Sequence, residues 1–106
     1  MDALAQSAAL EQGEISAAEL MQATLARIDA VNGAVNAVVS LRDGDELLAE
    51  ARAADATPRK GWLHGIPMAI KDLANVKGLP TSMGSPLFAG QIADNDDVMV
   101  ARLRAA

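Results

Sequence analysis

Lys71 and Asp72 directly follow an uninterrupted apolar run at residues 66–70, and a lysine in this position is a candidate for acid–base chemistry. A short apolar run bounded by turn residues is typical of a strand buried on both faces. At the end of such a strand, the Lys71 ammonium can extend into water while its stem covers apolar neighbours. Alternatively, burial disfavours the charged form and leaves a neutral amine, which can act as general base for a hydroxyl nucleophile.

The composition favours one small globular domain and disfavours several classes of partner. The chain has 106 residues, of which 51% are hydrophobic, and a net charge of -5 at pH 7. This charge disfavours nucleic acid or an anionic membrane as a partner. The absence of cysteine excludes a disulfide framework and a thiolate metal site, and the single histidine with scattered carboxylates has no metal-ligand spacing. We find no signal-peptide pattern and no membrane-spanning apolar run, and we expect a cytoplasmic protein.

The segments around the apolar run are predicted to form helices and one further strand. Helix-start signals, in which a side chain can accept hydrogen bonds from the first turn, occur at Asp2, Ser16 with Glu19, Asp45 and 94–97. Helix-stop signals occur at Gly13 and at the pair Asn32-Gly33. Residues 34–41 are rich in valine and are predicted to form a strand.

These elements predict an α/β fold in which a mixed sheet is flanked by helices. A strand that is apolar on both faces needs helices above and below it and other strands at its edges. Two strands are predicted, and a two-stranded sheet is marginal by itself. We therefore expect this chain to associate, either with the remainder of a larger domain or with itself.

The apolar block also carries a family resemblance. Residues 65–72, Gly-Ile-Pro-Met-Ala-Ile-Lys-Asp, closely resemble the N-terminal part of the amidase signature family. The resemblance extends over nearly the whole chain, through residues 78–81, Gly84-Ser85, 16–20, Arg27-Ile28, 35–37, Asp96-Asp97 with Val100, and Leu103-Arg104. The block at 65–72 is the specific part of this match, and it implies the N-terminal portion of the amidase signature fold.

The resemblance implies hydrolysis of a small-molecule amide by a Ser–cis-Ser–Lys triad, with no metal or organic cofactor. Lys71 matches the triad lysine, which in the family accepts a proton through a bridging serine. The second serine attacks the amide carbonyl, ammonia or an amine leaves, and water then releases the acid from the acyl-enzyme. A neutral lysine can activate a hydroxyl in this way, while backbone donors stabilise the oxyanion.

Several residues depart from the family pattern or have structural interpretations. The triad serines belong to a glycine- and serine-rich segment of the family that has no counterpart here, and we interpret Ser82 and Ser85 as loop residues. Leu73 stands where many family members carry a polar residue. Asp72 is expected to make local hydrogen bonds rather than take protons, and His64 to be a turn residue.

We therefore expect residues 1–106 to be the N-terminal segment of a single amidase domain, truncated before the catalytic serines and inactive by itself. Two other hypotheses stay open. The segment can be a non-catalytic folding or interaction unit, or it can belong to the transamidating subunit of a tRNA-dependent amidotransferase.

Overall fold

The computed structural model describes all 106 residues and contains four α-helices, one short 3₁₀ helix and no β-strand. The α-helices are α1 (Ala3–Gln12), α2 (Ala17–Val35), α3 (Gly44–Asp55) and α4 (Val98–Ala105), and the 3₁₀ helix is Pro86–Phe88. The chain divides into two compact units, Met1–Pro67 and Met68–Ala106. None of the helices combines the length and the apolar character needed to cross a membrane.

The first two helices begin where their capping residues predict. The Asp2 side chain accepts a hydrogen bond of 2.8 Å from the Ala5 N–H, and α1 ends at Gly13 with φ 71°. Ser16 accepts from the Glu19 N–H at 3.0 Å, and the Glu19 carboxylate accepts from the Ser16 N–H at 2.8 Å. This reciprocal pair is a capping box, so the predicted start of α2 is confirmed.

The predicted end of α2 and the predicted strand after it are wrong. The helix continues through Asn32-Gly33 to Val35, and Asn36 is the left-handed C-cap with φ 49°. The Asn32 side chain is hydrogen-bonded to the segment that follows the cap. Its NH₂ group donates to the Val38 carbonyl at 2.8 Å, and its Oδ1 accepts from the Val38 N–H at 2.9 Å. Residues 34–41 are thus a helix end followed by irregular chain, with no strand beside them to pair with.

The third helix begins two residues earlier than predicted. Asp43, rather than Asp45, is its N-cap, and its carboxylate accepts from the Asp45 and Glu46 N–H groups at 3.0 and 3.1 Å. α3 packs against α2, and the buried apolar residues of this unit are the small side chains of Ala9, Ala17 and Ala51. The first unit therefore buries little apolar surface, and polar contacts contribute to its stability.

One such polar contact joins α1 to the loop after α3. The Ser7 hydroxyl is 2.5 Å from the Trp62 carbonyl, and Nη2 of Arg59 donates to the same carbonyl at 3.1 Å. Arg59 Nη2 also lies 2.5 Å from the Ser7 oxygen. This three-membered contact fixes the chain shortly before the apolar block.

The mixed sheet predicted from residues 66–70 is not present, and the chain has an all-helical secondary structure. Residues 66–70 have no regular secondary structure, and no neighbouring strand accepts or donates their backbone hydrogen bonds. A strand is stable only when its N–H and C=O groups are paired along an edge. With no such edge, Met68 remains 51% exposed, and the predicted burial on both faces is also wrong.

The second unit is held together by backbone hydrogen bonds between two segments, residues 75–81 and 91–97, which we call the neck. The bonds from Gly78 N to Ala93 O (2.8 Å), from Ala93 N to Leu79 O (3.0 Å) and from Thr81 N to Gln91 O (2.9 Å) close it. Thr81 is 1% exposed, the lowest fraction in the chain. The neck includes a single isolated bridge, between Pro80 and Ile92, and not a strand pair.

Acidic side chains fasten the neck to α4. Asp97 occupies the N-cap position of α4, within the predicted run, but its carboxylate accepts from the Asn75 N–H at 2.8 Å instead of from the helix. Asp96 accepts from the Lys77 N–H at 2.7 Å and forms a 3.0 Å ion pair with Arg104. The predicted helix start is therefore correct in position, and its carboxylates serve the loop that carries Lys71.

Candidate active site

Lys71 lies at the start of a tight turn in the second unit. Its carbonyl accepts from the Leu73 N–H at 2.8 Å and from the Ala74 N–H at 3.0 Å, which fixes the backbone of the lysine. Lys71 is exposed, as in the first of its two interpretations, in which the ammonium extends into water.

Asp72, the residue after Lys71, accepts hydrogen bonds with both of its carboxylate oxygens. One carboxylate oxygen accepts from the Ser82 N–H at 2.8 Å, and the other accepts a very short bond from the Ser82 hydroxyl. The hydroxyl of Ser82, then its N–H, and then the N–H groups of Met83 and Gly84 hold the pKa of Asp72 below its usual range. A carboxylate with a lowered pKa is a weak base, so Asp72 accepts hydrogen bonds here, but its main partner, Ser82, lies ten residues away and the bonds are not the local ones expected.

The backbone that receives Asp72 has an unusual conformation. Met83 and Gly84 have positive φ angles of 53° and 67°. Successive N–H groups that converge on one anion form a nest, which is an anion-binding concavity. Here an internal carboxylate, that of Asp72, is the bound anion.

Ser82 and Ser85 both have local structural roles, which agrees with their interpretation as loop residues. The Ser82 hydroxyl donates to Asp72, while the Ser85 oxygen accepts from the Leu87 N–H at 3.3 Å and caps the 3₁₀ helix. Leu73, at the turn after Lys71, is 59% exposed and presents an apolar side chain next to the lysine. No three His, Asp or Glu side chains come together in a way that could hold a metal ion.

His64, which precedes the block, and Gly65, its first residue, belong to the first unit. His64 lies in a turn, as predicted, and its Nε2 is 2.9 Å from the Ala54 carbonyl at the end of α3. Gly65 has φ 84°, and a Cβ at this position would lie 3.0 Å from the Cβ of Ala17. Only glycine combines that conformation with so close an approach.

Two contacts of the site were not predicted. The sequence separates Asp72 from Ser82 by ten residues and Asn75 from Asp97 by twenty-two, and no local spacing rule links such pairs. The glycines and prolines between them predict turns but not which turn meets which. The available signal was the acidic run at 94–97, which contains more carboxylates than a single helix start can use.

Comparisons with known proteins agree with the block and its position. A sequence model of the family described as Amidase matches residues 19–106. An acylamidase of Rhodococcus erythropolis is 38% identical over 112 residues, which cover 100% of this chain and 23% of the relative. The A subunit of the glutamyl-tRNA(Gln) amidotransferase of Salinispora arenicola is 44% identical over 99 residues, 90% of this chain and 20% of the relative. Its counterpart in Anaeromyxobacter sp. (strain K) is 42% identical over 96 residues, 87% of this chain and 19% of the relative.

The family match covers far more than half of the chain and includes the Lys71 block, and the chain belongs to the amidase family. It spans about a fifth of the length of the curated relatives that it matches. The described residues thus correspond to one part of a family domain, with four helices and the loop that carries the lysine.

Proposed function

We propose that this chain is the N-terminal segment of an amidase that hydrolyses small carboxamides, and that Lys71 is the base of its Ser–cis-Ser–Lys triad. The observation that carries the proposal is the family match across residues 19–106, which contains the block ending at Lys71-Asp72. Alignment of an acylamidase with the whole of this chain supports the same activity.

The residues present in this segment determine which catalytic groups of the triad it can supply. Lys71 accepts the proton that a bridging serine relays from the nucleophilic serine, which attacks the amide carbonyl. Neither serine has a match in this chain, because the glycine- and serine-rich segment that carries them in the family has no counterpart here. The hydroxyls of Ser82 and Ser85 are engaged in holding the loop. The segment therefore supplies the base, and we propose that it is inactive on amides by itself.

The exposure of Lys71 is consistent with a site that later residues complete. The neighbouring apolar side chains of Met68 and Leu73 are also exposed. A further segment packed on them would bury apolar surface and remove water from the ammonium, which favours the neutral amine. We propose that the remainder of the domain performs this desolvation, and that the isolated segment otherwise associates with itself.

A second candidate function is transfer of the amide nitrogen to tRNA-bound glutamate. The specific observation in its favour is the identity of 42–44% to two glutamyl-tRNA(Gln) amidotransferase A subunits. The lysine has the same role in both candidates, and in both water releases the acid from the acyl-enzyme. They differ in whether the ammonia is set free or passed to a second substrate.

Both candidates are tested on a full-length parent protein that carries this chain. Lys71→Ala is expected to abolish release of ammonia from a simple carboxamide without loss of the fold, with Lys77→Ala as the matched control because Lys77 is an exposed lysine of the same unit. Normal turnover by Lys71→Ala would refute the assignment of the base. Amide transfer to glutamyl-tRNA(Gln) in place of ammonia release would favour the second candidate, and binding of an amide without either reaction would favour a non-catalytic unit.

A further inference from the structure

Two contacts hold the chain directly after the Cα of Lys71. The Lys71 carbonyl accepts from the Leu73 and Ala74 N–H groups, and the next residue, Asp72, reaches across the loop to Ser82 with both carboxylate oxygens. A side chain whose Cα is followed at once by these two anchors has a better defined origin than one held by a turn alone.

Ser82 is itself firmly placed, because it directly follows the most buried residue of the chain. Thr81 is 1% exposed and donates to the Gln91 carbonyl at 2.9 Å, within the neck. On its other side, the Ser82 carbonyl accepts from the Ser85 N–H at 2.9 Å. The two bonds to Asp72 therefore connect Lys71 to the best-packed part of the second unit.

The same bonds hold the carboxylate of the residue that follows the lysine in the chain. Asp72 follows Lys71 in the chain, yet the two side chains form no ion pair, while the donors of residues 82–84 surround the carboxylate. A carboxylate released from these donors would be free to pair with the ammonium and to favour its charged form. A lysine held in its charged form has no free electron pair on nitrogen and so cannot act as the base.

We propose that Asp72 and Ser82 form a positioning pair for Lys71, which fixes the origin of the lysine side chain and keeps the Asp72 carboxylate away from the ammonium. This role rests on the proposed function of Lys71 as a base. Asp72 and Ser82 are positioning residues and take no part in proton transfer. The pair is formed entirely within residues 68–106.

The kinetic test uses the full-length parent and compares Ser82→Ala, Ser82→Thr, Asp72→Asn and the control Ser85→Ala. Ser82→Ala is expected to lower kcat by about 10- to 100-fold with little change in KM, because a displaced catalytic group slows the chemical step more than binding. Ser82→Thr, which keeps the hydroxyl, should recover most of kcat, and Ser85→Ala should leave it unchanged. The acid limb of the pH profile of kcat should move to higher pH in Ser82→Ala, and this shift should vanish in the double variant with Asp72→Asn.

A second readout does not depend on turnover. Acylation of lysines by acetic anhydride, resolved by mass spectrometry, should be at least about twofold slower at Lys71 in Ser82→Ala than in the wild type, and unchanged at Lys77, because a paired ammonium reacts slowly. If Ser82→Ala does not fold, Asp72→Asn decides, with an expected loss in kcat of about 10-fold.

The two proposals fail in different ways. Full activity of Lys71→Ala overturns the proposed function. Loss of activity in Lys71→Ala together with wild-type kcat and wild-type Lys71 acylation in Ser82→Ala overturns the positioning pair alone. If the parent does not hydrolyse the amide, unchanged Lys71 acylation in Ser82→Ala overturns the pair, and slowed acylation supports it.

Discussion

The carboxylate of Asp55, the last residue of α3, accepts a 2.7 Å hydrogen bond from the N–H of Ala17, the first residue of α2. Its second oxygen accepts from the Ala18 N–H at 3.1 Å. Together with the bond from the Glu19 N–H to Ser16, three of the N–H groups that a helix start leaves unpaired are satisfied. The contact also places a negative charge at the positive end of α2, so one aspartate joins two helices and stabilises the start of one.

We predict that Asp55→Ala lowers the free energy of unfolding of the parent protein by about 1–2 kcal/mol, the usual cost of losing a helix cap. Urea denaturation measures the effect. Asp29→Ala, which removes an exposed carboxylate from the middle of α2, is the control and should change stability by less than about 0.5 kcal/mol. Equal effects of the two substitutions would show that Asp55 contributes only charge.

Two glycines are predicted to respond to alanine in opposite directions. Gly65→Ala should destabilise by more than about 1 kcal/mol, because residue 65 has φ 84° and its new Cβ would approach Ala17. Gly33→Ala should stabilise by about 0.5–1 kcal/mol, because this glycine is helical and its Cβ would meet nothing within 4 Å. Thermal unfolding of the two variants decides, and the same sign for both would contradict the prediction.

The hydrogen bonds to Asp72 predict a specific dependence of stability on pH. The pKa of Asp72 is lowered in the folded protein, so its carboxylate binds fewer protons than in the unfolded chain. Its contribution to stability is therefore complete above the unfolded pKa of about 4 and is lost as the pH falls through the lower folded pKa. The stability difference between wild type and Asp72→Asn should be constant at neutral pH and shrink below about pH 4.

Urea unfolding of both proteins across that range measures this difference. Asp94→Asn, at an exposed aspartate of the same unit, is the control. A difference between wild type and Asp72→Asn that grows as the pH falls would contradict the assigned direction.

The isolated 106-residue chain is predicted to be inactive on simple amides and to associate or fold poorly. Its two units bury few apolar side chains, while Val35 and Val39 are 65% and 70% exposed. Apolar surface of this kind drives association when nothing covers it. Light scattering gives the mass in solution, and an assay for ammonia gives the activity. A well-folded monomer that hydrolyses an amide would contradict both parts and would require Ser82 and Ser85 to be reconsidered as nucleophiles.

The parts of the structure that depend on neighbouring residues could be predicted from the sequence. Asp2 and the pair Ser16 and Glu19 cap helices through bonds that span three residues, and their pattern is visible in the chain itself. The family of the block at 65–72 was recognisable for the same reason, since its residues are contiguous.

The prediction of a sheet was wrong because a strand is defined by its partner, which a local pattern does not show. Valine at residues 35, 38 and 39 indicates a chain that suits a pleated surface, but the pattern does not supply the edge on which to form it. Side-chain contacts over long separations escape prediction too. The bonds from Asp55 to Ala17 and from Asp72 to Ser82 join residues whose spacing follows no helical or strand period.

The neck also has a consequence for protein engineering. It closes at Thr81 and Gln91, and the Asp72 contacts end at Gly84, so the short 3₁₀ helix Pro86–Phe88 lies beyond both. Leu87 at its centre is 90% exposed. Doubling the length of a loop costs only about 0.6 kcal/mol when its ends are already held together. We therefore expect this outer turn to accept a grafted peptide or reporter while the lysine keeps its place.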